Sequence, residues 1–397
     1  MHAAGVVSAG AYLPAKSISS GQALRLSAFL QDHTRVPRVF ARYVATEKRL
    51  PGTVETNEEG WMSKPWFEAW VQTLPPGKQK DPFLGTKERR RVPPDPDSLR
   101  QSIHPHPMLS THAEAIAAAI AIVNGPVSPE DIDLVLGYSQ IPDQLPSTAS
   151  ALQDCLKLRG AGAYGVDTCC STFVTMIDLA SSLVRSGQCN HVLCACSHIA
   201  SHVHDPSEYC CVRLGDGAVA AVVSAVPEGQ GYVASHATSD GSVHDAVQMV
   251  RRRPSLLRRT AMGPTYEQNL VTFANKDACK VIASTSNERM RGMARALLER
   301  GRCSVEDLDF FVTHQPVEWA GRAWCDALGI DENRFYESFE RYGNIGCASV
   351  GANFCEALEQ GRIGAGDLVL LASSGAGENH VGVLERVSPA LVEAMRA

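Results

Sequence analysis

From His112 onward, two hydrophobic patterns follow one another along the chain, one typical of helices and the other of strands. Apolar residues recur at helical spacing in some stretches, and continuous apolar runs of strand length separate them. The predicted helices are HAEAIAAAIAIV (112–123), STASALQDCLKL (147–158) and STFVTMIDLASSLVRSG (171–187). The predicted strands are GVVSAGAYLP (5–14), DLVLGYS (133–139), AYGVDTC (163–169), HVLCACS (191–197) and the run that ends RLGDGAVAAVVSA (213–225). Strands that alternate with helices indicate an α/β fold, with a parallel sheet and helices packed on its faces.

One motif occurs twice and divides the chain. SPEDIDLVLGYSQ (128–140) and SVEDLDFFVTHQ (304–315) share an acidic lead that runs into a short apolar strand, and a helix-like stretch precedes each copy. An acidic connection of this kind is also commonplace, but each copy occupies an equivalent place in its own half of the chain. We therefore predict two similar α/β halves, residues 1–225 and 226–397, with an inserted segment at about 25–82 in the first.

Composition and charge narrow the range of functions. Hydrophobic residues make up 44% of the 397 positions and charged residues 20%, with a formal net charge of −6. That charge gives no general attraction to nucleic acid or to an anionic membrane, and no run of about 18 apolar residues predicts a membrane span. We find no secretory signal at the N-terminus. The 13 cysteines are odd in number and most lie in apolar stretches, which favours free thiols in a reducing cytoplasm.

Two adjacent cysteines precede the third predicted helix, in GVDTCCSTF (165–173). Cys170 is placed at the helix N-terminus, where free backbone N–H groups and the helix dipole lower the pKa of a thiol. Cys169 belongs to the strand side and is expected to point elsewhere. Two buried structural thiols would give the same sequence, because free cysteine is among the most buried residue types. A nucleophilic Cys170 therefore needs polar partners.

The second half of the chain supplies such partners. His314 directly follows the predicted strand DFFVT, in a position where the loops of α/β folds carry function. Asn344 lies between glycines ahead of a helix rich in small residues, and LVLLASSGAGENHVG is a strand that breaks into a Gly-rich turn. Such a turn can present backbone N–H groups to an oxyanion. Each feature alone is common, but the ordered set of Cys, His, Asn and Gly-rich turn indicates a catalytic site.

With these motifs the chain resembles β-ketoacyl synthase III and its relatives in the thiolase superfamily. GVDTCCSTF resembles the nucleophile junction of that family, VTHQPVEW its His-Gln segment, and YGNIGCASV its Gly-Asn segment. RLGDGAVAAVV, LPSTASALQ and LGTKERRR match further motifs of the family. The resemblance extends from about residue 83 to the end and includes the N-terminal strand. It implies a thiolase-like fold in which two duplicated α/β halves build five layers, α-β-α-β-α.

Several positions depart from the family pattern, and these departures leave the identity of the substrate open. The resemblance places Phe173 and Leu145 in the acyl pocket, and Leu145 stands where the best-known members carry an aromatic residue. The tryptophans of the inserted segment, Trp61, Trp66 and Trp70, have no counterpart that we can assign. They are expected either to cover the acyl tunnel or to pack on the outside of the dimer. Acyl chain length, acceptor and pathway stay open.

The resemblance also implies a mechanism, acyl transfer through a thioester. The Cys170 thiolate attacks an acyl thioester, and the backbone N–H groups of Cys170 and Ala376 form the oxyanion hole. A malonyl-type thioester then loses CO2, His314 and Asn344 hold the enolate oxygen, and the carbanion attacks the acyl group. The alternative is an acyltransferase that moves the acyl group to an alcohol or amine, and Asn344 favours condensation over it. No cofactor is expected, because coenzyme A and acyl-carrier-protein thioesters are the substrates.

Two basic stretches bear on partners, KERRR (87–91) and RRRPSLLRR (251–259). They are solvated loop charges or docking sites for an acidic acyl carrier protein or the phosphates of coenzyme A. We expect a homodimer, as the resemblance implies, with Leu145 lining the pocket of the partner. Nucleic-acid binding is not expected, since recognition elements and a broad basic face are missing from the sequence.

Three other hypotheses are weaker. A papain-like cysteine protease has Cys, His and Asn in the same order, but CCSTF lacks the signature of that family. A zinc site is conceivable in the stretch that holds Cys194, Cys196, His198, His202, His204, Cys210 and Cys211. No pair of C-x2-C motifs supports it, and a buried strand explains HVLCACS better. A non-catalytic scaffold subunit is disfavoured by the complete set of Cys170, His314 and Asn344.

Overall fold

The structure is a computed structural model, and it describes residues 3–14, 16–19, 100–103, 110–142, 147–200, 214–252 and 268–396. Several sequence predictions fall outside these residues: Leu145, the three tryptophans, the inserted segment and the basic stretch 87–91. Of the second basic stretch, the description includes only the backbone of 251–252, in a strand. In the described part of the chain no helix combines the length and the apolar character needed to cross a bilayer.

Strands and helices follow one another much as the hydrophobic pattern predicts. The first half contains strands β1 (Ala3–Tyr12), β2 (Lys16–Ser19), β3 (Arg100–Ile103), β4 (Leu134–Ser139), β5 (Gly162–Gly165), β6 (His191–His198) and β7 (Gly217–Val226). Its helices are α1 (Ser110–Asn124), α2 (Thr148–Cys155) and α3 (Thr172–Arg185). The strand predicted over 163–169 ends early, at Gly165, because the chain turns before the two cysteines.

The second half repeats the alternation of strands and helices. Its strands are β8 (Gly231–Thr238), β9 (Val247–Arg252), β10 (Gln268–Phe273), β11 (Phe310–Thr313), β12 (Leu368–Gly375) and β13 (Asn379–Arg386). Its helices are α4 (Lys276–Gly301), α5 (Ala320–Leu328), α6 (Phe339–Tyr342), α7 (Ser349–Glu359) and α8 (Pro389–Arg396). β2 pairs with β3 and β9 with β10 as separate two-stranded ribbons.

Two mixed sheets form the framework. The first has the strand order β1-β7-β6-β4-β5, and the second has the order β11-β12-β13-β8. β4 runs parallel to β5 and β6, and β11 runs parallel to β12, but the remaining neighbours are antiparallel. The sequence predicts a parallel sheet, and the observed sheets are instead mixed, with parallel and antiparallel pairs in each. A three-residue turn joins β12 to β13, and antiparallel neighbours permit such a short connection because they need no crossover helix.

Helices and sheets stack in five layers, α-β-α-β-α, which confirms the fold predicted from the resemblance. Helices α1 and α2 cover the outer face of the first sheet, and α4 and α5 cover the outer face of the second. Helices α3, α7 and α8 lie between the sheets around a common core. β4 alternates accordingly, since Leu134 and Leu136 face the central core and Val135 faces the outer layer. Both faces of the sheet are buried, which explains its continuous apolar runs.

The duplicated motif has the same structural role in each half. Asp133 N donates to His191 O at 3.0 Å, and Asp309 N donates to Leu368 O at 2.9 Å. The side-chain oxygen Oδ2 of Asp133 accepts from the N–H of His191, and that of Asp309 accepts from the N–H of Leu368. Each aspartate thus fixes the start of a parallel strand pair, β4–β6 or β11–β12. The first sheet lies within residues 3–226 and the second within 231–386, while the exact boundary between halves stays a prediction.

Candidate active site

The two cysteines lie in a tight turn between β5 and α3. Cys169 to Ser171 form one turn of 3-10 helix, and Cys169 has a φ of 56°, in the left-handed region. Neighbouring side chains hold this turn: Asp167 Oδ1 accepts from the N–H of Cys169 at 2.8 Å, and Thr172 Oγ1 donates to Cys169 O at 2.7 Å. A left-handed residue that is not glycine is strained, and such strain concentrates at functional sites.

Both thiols point into the same site. Their sulfurs lie 3.9 Å apart, and Gln140 Nε2 is 3.6 Å from each of them. The expectation that Cys169 points elsewhere is therefore wrong, because its left-handed φ breaks the alternation that an extended strand would impose. The contact between the thiols lowers the pKa of Cys169 and raises that of Cys170, and burial raises the pKa of Cys170 further. This outcome is opposite to the low pKa expected for Cys170, and the two thiols in contact titrate as a coupled pair.

His314 and Asn344 contact each other directly. His314 follows β11 and is buried, with Nε2 2.9 Å from Asn344 Oδ1 and Nδ1 2.9 Å from Ser374 O. Burial lowers the pKa of His314 to about 4, so the ring is neutral at physiological pH. A neutral imidazole carries one N–H, and both facing oxygens are acceptors, so His314 donates to one of them at a time. The Nε2 tautomer is the one that presents a donor on the side of Asn344.

Hydrogen bonds fix both the side chain and the backbone of Asn344. Its Oδ1 accepts from the N–H of Gly346 at 2.8 Å, and its backbone oxygen accepts from the N–H of Gly215 at 2.9 Å. Leu214 and Asn344 also form a parallel bridge, which ties the Gly-Asp-Gly turn before β7 to the segment that carries Asn344. Residues 214–215 of the first half therefore help to position Asn344, a candidate site residue of the second half.

The end of β12 connects the cysteines to His314. Ser373 Oγ donates to Cys170 O at 2.9 Å, and Ser374 O is the oxygen that faces the His314 ring. Gly375 allows close contact with the cysteine turn, since a Cβ atom there would lie 2.5 Å from Thr168 O. The backbone of the next residue, Ala376, acts to lower the pKa of both thiols. Four consecutive residues, 373–376, thus hold the candidate nucleophile, the candidate histidine and a backbone donor in one arrangement.

A buried charged cluster anchors the turn after Ala376. Glu378 has a φ of 55° and is buried, and its Oε2 lies 2.8 Å from Arg289 Nε and 3.1 Å from His380 Nε2. Arg289 also pairs with Asp240. Because a buried charge must be paired, this cluster resists displacement of the turn.

Phe173 and the residues that the sequence analysis missed complete the description. Phe173 is buried in the central core, where a Cβ atom at Gly351 would lie 2.9 Å from its ring, and its place in an acyl pocket stays a prediction. Gln140 and Glu378 were not anticipated as site residues, although the quoted stretches SPEDIDLVLGYSQ and LVLLASSGAGENHVG contain them. Gln140 directly follows β4, and the carboxyl ends of parallel strands are where α/β folds build their sites. The position of Gln140 directly after a predicted strand was the sequence signal that could have identified it as a site residue.

Cys194 and Cys196, two of the cysteines considered for a zinc site, are buried in β6. Cys194 Sγ lies 3.6 Å from Met176 O, and Cys196 Sγ lies 3.5 Å from Cys347 O. Among the residues that are described, no group of three or more metal-ligating side chains occurs. His202, His204, Cys210 and Cys211 lie outside those residues.

Comparisons with known proteins agree with this architecture. Two families match the chain: "3-Oxoacyl-[acyl-carrier-protein (ACP)] synthase III" at residues 164–241, and its C-terminal counterpart at residues 298–387. A β-ketoacyl-[acyl-carrier-protein] synthase III of a Sulfurovum species is 31% identical over 268 residues, which cover 66% of this chain and 77% of that protein. The corresponding protein of Solibacter usitatus is 31% identical over 277 residues, covering 68% and 82%.

Solved structures show the same fold. The 3-oxoacyl-[acyl-carrier-protein] synthase III of Aquifex aeolicus superposes with a TM-score of 0.69 at 21% identity, covering 96% of this chain and 99% of that chain. Together the five layers and the matches define a thiolase-like condensing enzyme, a transferase of the ketosynthase type. The chain belongs to the β-ketoacyl-[acyl-carrier-protein] synthase III family.

Proposed function

We propose that the chain loads an acyl group from a thioester onto Cys170 and condenses it with a malonyl-type thioester. The observation that carries this proposal is segment 373–376, which contacts the cysteine turn and the His314 ring through consecutive residues. In the first half-reaction the Cys170 sulfur bonds to the acyl carbon, and the donor thiol leaves. The N–H groups of Cys170 and Ala376 hold the oxyanion of the tetrahedral intermediate.

The second half-reaction uses His314 and Asn344. The bond from the malonyl-type substrate to CO2 breaks, and its electrons enter an enolate whose oxygen accepts from the His314 ring N–H and the Asn344 amide. The new carbanion bonds to the acyl carbon, and Cys170 leaves as a thiolate. A neutral His314 can fill this role because it still carries one ring N–H that donates to the enolate oxygen, and burial keeps the ring neutral.

Substrates and surroundings follow from the same chemistry. We propose acyl-CoA or acyl-carrier-protein thioesters as substrates, as the names of the relatives suggest, and no resident cofactor, since a thioester is already activated. A homodimer and a cytoplasmic location complete the proposal. The eleven cysteines among the described residues are free, and a nucleophilic thiol must stay reduced.

Removal of the Asn344 amide tests the proposal. In Asn344→Ala, release of labelled CO2 from a malonyl-type thioester should fall by about 10²–10³ in kcat, because one donor to the enolate is lost. Acylation of Cys170, read by mass spectrometry of the intact protein, should persist in the same variant and serves as the control for folding. Transfer of the acyl group to an alcohol or amine with no release of CO2 by the parent would instead establish the acyltransferase alternative.

A further inference from the structure

Gln140 lies at the centre of the site and has no part in the mechanism above. It follows β4, and its backbone N–H donates to Ser197 O at 2.9 Å, which continues the pairing of β4 with β6. Its side chain is half-buried and extends to the two thiols, with Nε2 3.6 Å from each sulfur. At the other end of the amide, Oε1 accepts from the N–H of Cys347 at 3.2 Å. One side chain thus bridges the cysteine turn and the segment that carries Asn344.

The orientation of this amide is fixed by its surroundings. Rotation that exchanged Nε2 and Oε1 would set the amide N–H groups against the N–H of Cys347, and two donors cannot satisfy each other. Gly346 keeps the space open, since its φ is 54° and a Cβ atom there would lie 2.3 Å from Gln140 Oε1. The amide therefore holds Nε2 3.6 Å from each sulfur, and Oε1 lies farther from the Cys170 sulfur, at 4.0 Å.

We propose that Gln140 is a further catalytic residue, whose Nε2–H donates to the Cys170 sulfur whenever that sulfur carries negative charge. The proposal rests on Cys170 as the nucleophile of the proposed function. A thiolate accepts a hydrogen bond much better than a thiol or a thioester does, so the contact favours the charged form selectively. Gln140 acts before acylation, when the thiolate attacks, and again during condensation, when Cys170 leaves as a thiolate. Its hydrogen bond lowers the pKa of Cys170 and so opposes part of the rise that burial causes.

The pH dependence of alkylation tests this role without turnover. Iodoacetamide reacts with the thiolate, so the midpoint of the rate across neutral and alkaline pH reports the pKa of the thiol. The measurement uses a Cys169→Ala background, which removes the second thiol beside Gln140, and follows alkylation of the peptide that carries Cys170 by mass spectrometry. It compares Gln140 with Gln140→Met, which keeps a similar volume but has no donor. We expect the midpoint to rise by about one pH unit and acylation at neutral pH to slow about tenfold. Gln140→Glu should raise the midpoint further, because a carboxylate opposes a second negative charge.

Controls separate donation from packing and from failure of the proposed function. Gln153→Met removes an amide that donates to Leu158 O at 2.8 Å on α2, so its midpoint should equal that of the background protein. An unchanged midpoint in both Gln140 variants, each folded by circular dichroism, would overturn the proposal and leave Gln140 a packing residue. Should the parent not be acylated at Cys170, the proposed function fails, and the alkylation midpoints still decide whether Gln140 supports the thiolate.

Discussion

At the scale of single residues, the structure places both thiols of the cysteine pair in the site. What distinguishes Cys169 from Cys170 is therefore which of the two reacts. Both sulfurs lie 3.6 Å from Gln140 Nε2, and the backbone of Ala376 acts to lower the pKa of both thiols. They differ in the backbone, because Cys169 is left-handed and precedes the helix, whereas Cys170 has its carbonyl held by Ser373. The family resemblance aligns Cys170 with the nucleophile, three residues before Phe173.

Single alanine variants distinguish the two thiols. Cys170→Ala should lose the acyl-enzyme on incubation with an acyl thioester. Cys169→Ala should keep it and form it at least as fast as the parent, because the contact that raises the pKa of Cys170 is gone. Mass spectrometry of the intact protein and of its peptides measures both. Acylation of Cys170→Ala together with its loss in Cys169→Ala would falsify the assignment and make Cys169 the nucleophile.

Residues with local signals could be predicted, and those with long-range roles could not. Cys170, His314 and Asn344 each follow an apolar run or adjoin glycines, so the sequence around them indicates a loop at the end of an element. Gln140 depends on Cys347, which is 207 positions away, and no local pattern contains that contact. The positive φ of Cys169 is equally hidden, because glycine is the residue that normally signals such a conformation.

At the scale of elements, β1 carries a feature that the apolar pattern of GVVSAGAY does not reveal. Its pairing with β7 shifts register between Val6 and Ser8, which is a bulge. The N–H of Val6 donates instead to Glu385 Oε1 of β13, at 2.9 Å, so a buried carboxylate joins the two sheets. Gly5 permits this approach, since a Cβ atom there would lie 2.6 Å from Glu385 Oε1. Sequence periodicity predicts which face is buried, but a bulge depends on the partner strand.

Burial of the Glu385 carboxyl makes the free energy of unfolding depend on pH. Burial raises the pKa of Glu385 from 4.5 to about 8. As pH rises through this range, the unfolded chain ionises while the folded chain keeps the proton, so the free energy of unfolding falls. The loss is complete above the folded pKa and amounts to about 5 kcal/mol. Glu385→Gln keeps an oxygen for Val6 but cannot ionise.

Melting temperatures on either side of this range measure the effect. Glu385→Gln should match the parent at mildly acidic pH and exceed its melting temperature at mildly alkaline pH. Glu299→Gln is the matched control, because Glu299 is exposed on α4 and its replacement should follow the parent at both pH values. Parallel pH dependence in the parent and Glu385→Gln would show that Glu385 is not the group responsible.

At the scale of the whole molecule, the first sheet ends in an edge strand, β5, with one side that no described strand of the same chain pairs with. β5 is at the edge of the order β1-β7-β6-β4-β5 and pairs only with β4 among the described strands. Its residues are mostly exposed, and Tyr164 is 61% exposed. An open edge strand with an aromatic side chain invites pairing with another chain, and antiparallel pairing of two copies about a two-fold axis would close it. The duplication could be predicted from the repeated motif, but the edge becomes visible only when strand order is known.

We therefore expect light scattering at micromolar concentration to give twice the 42.7 kDa of one chain. Tyr164→Glu should shift the protein toward the monomer, because each copy would bring a negative charge to the same two-fold contact. The variant should keep its fold, since Tyr164 is exposed in the single chain and supports no core. Val123→Glu is the matched control: Val123 is 81% exposed near the end of α1, away from the sheet edge, and its replacement should leave the mass unchanged. A monomeric parent would contradict the homodimer, and a dimer that Tyr164→Glu leaves intact would move the interface away from β5.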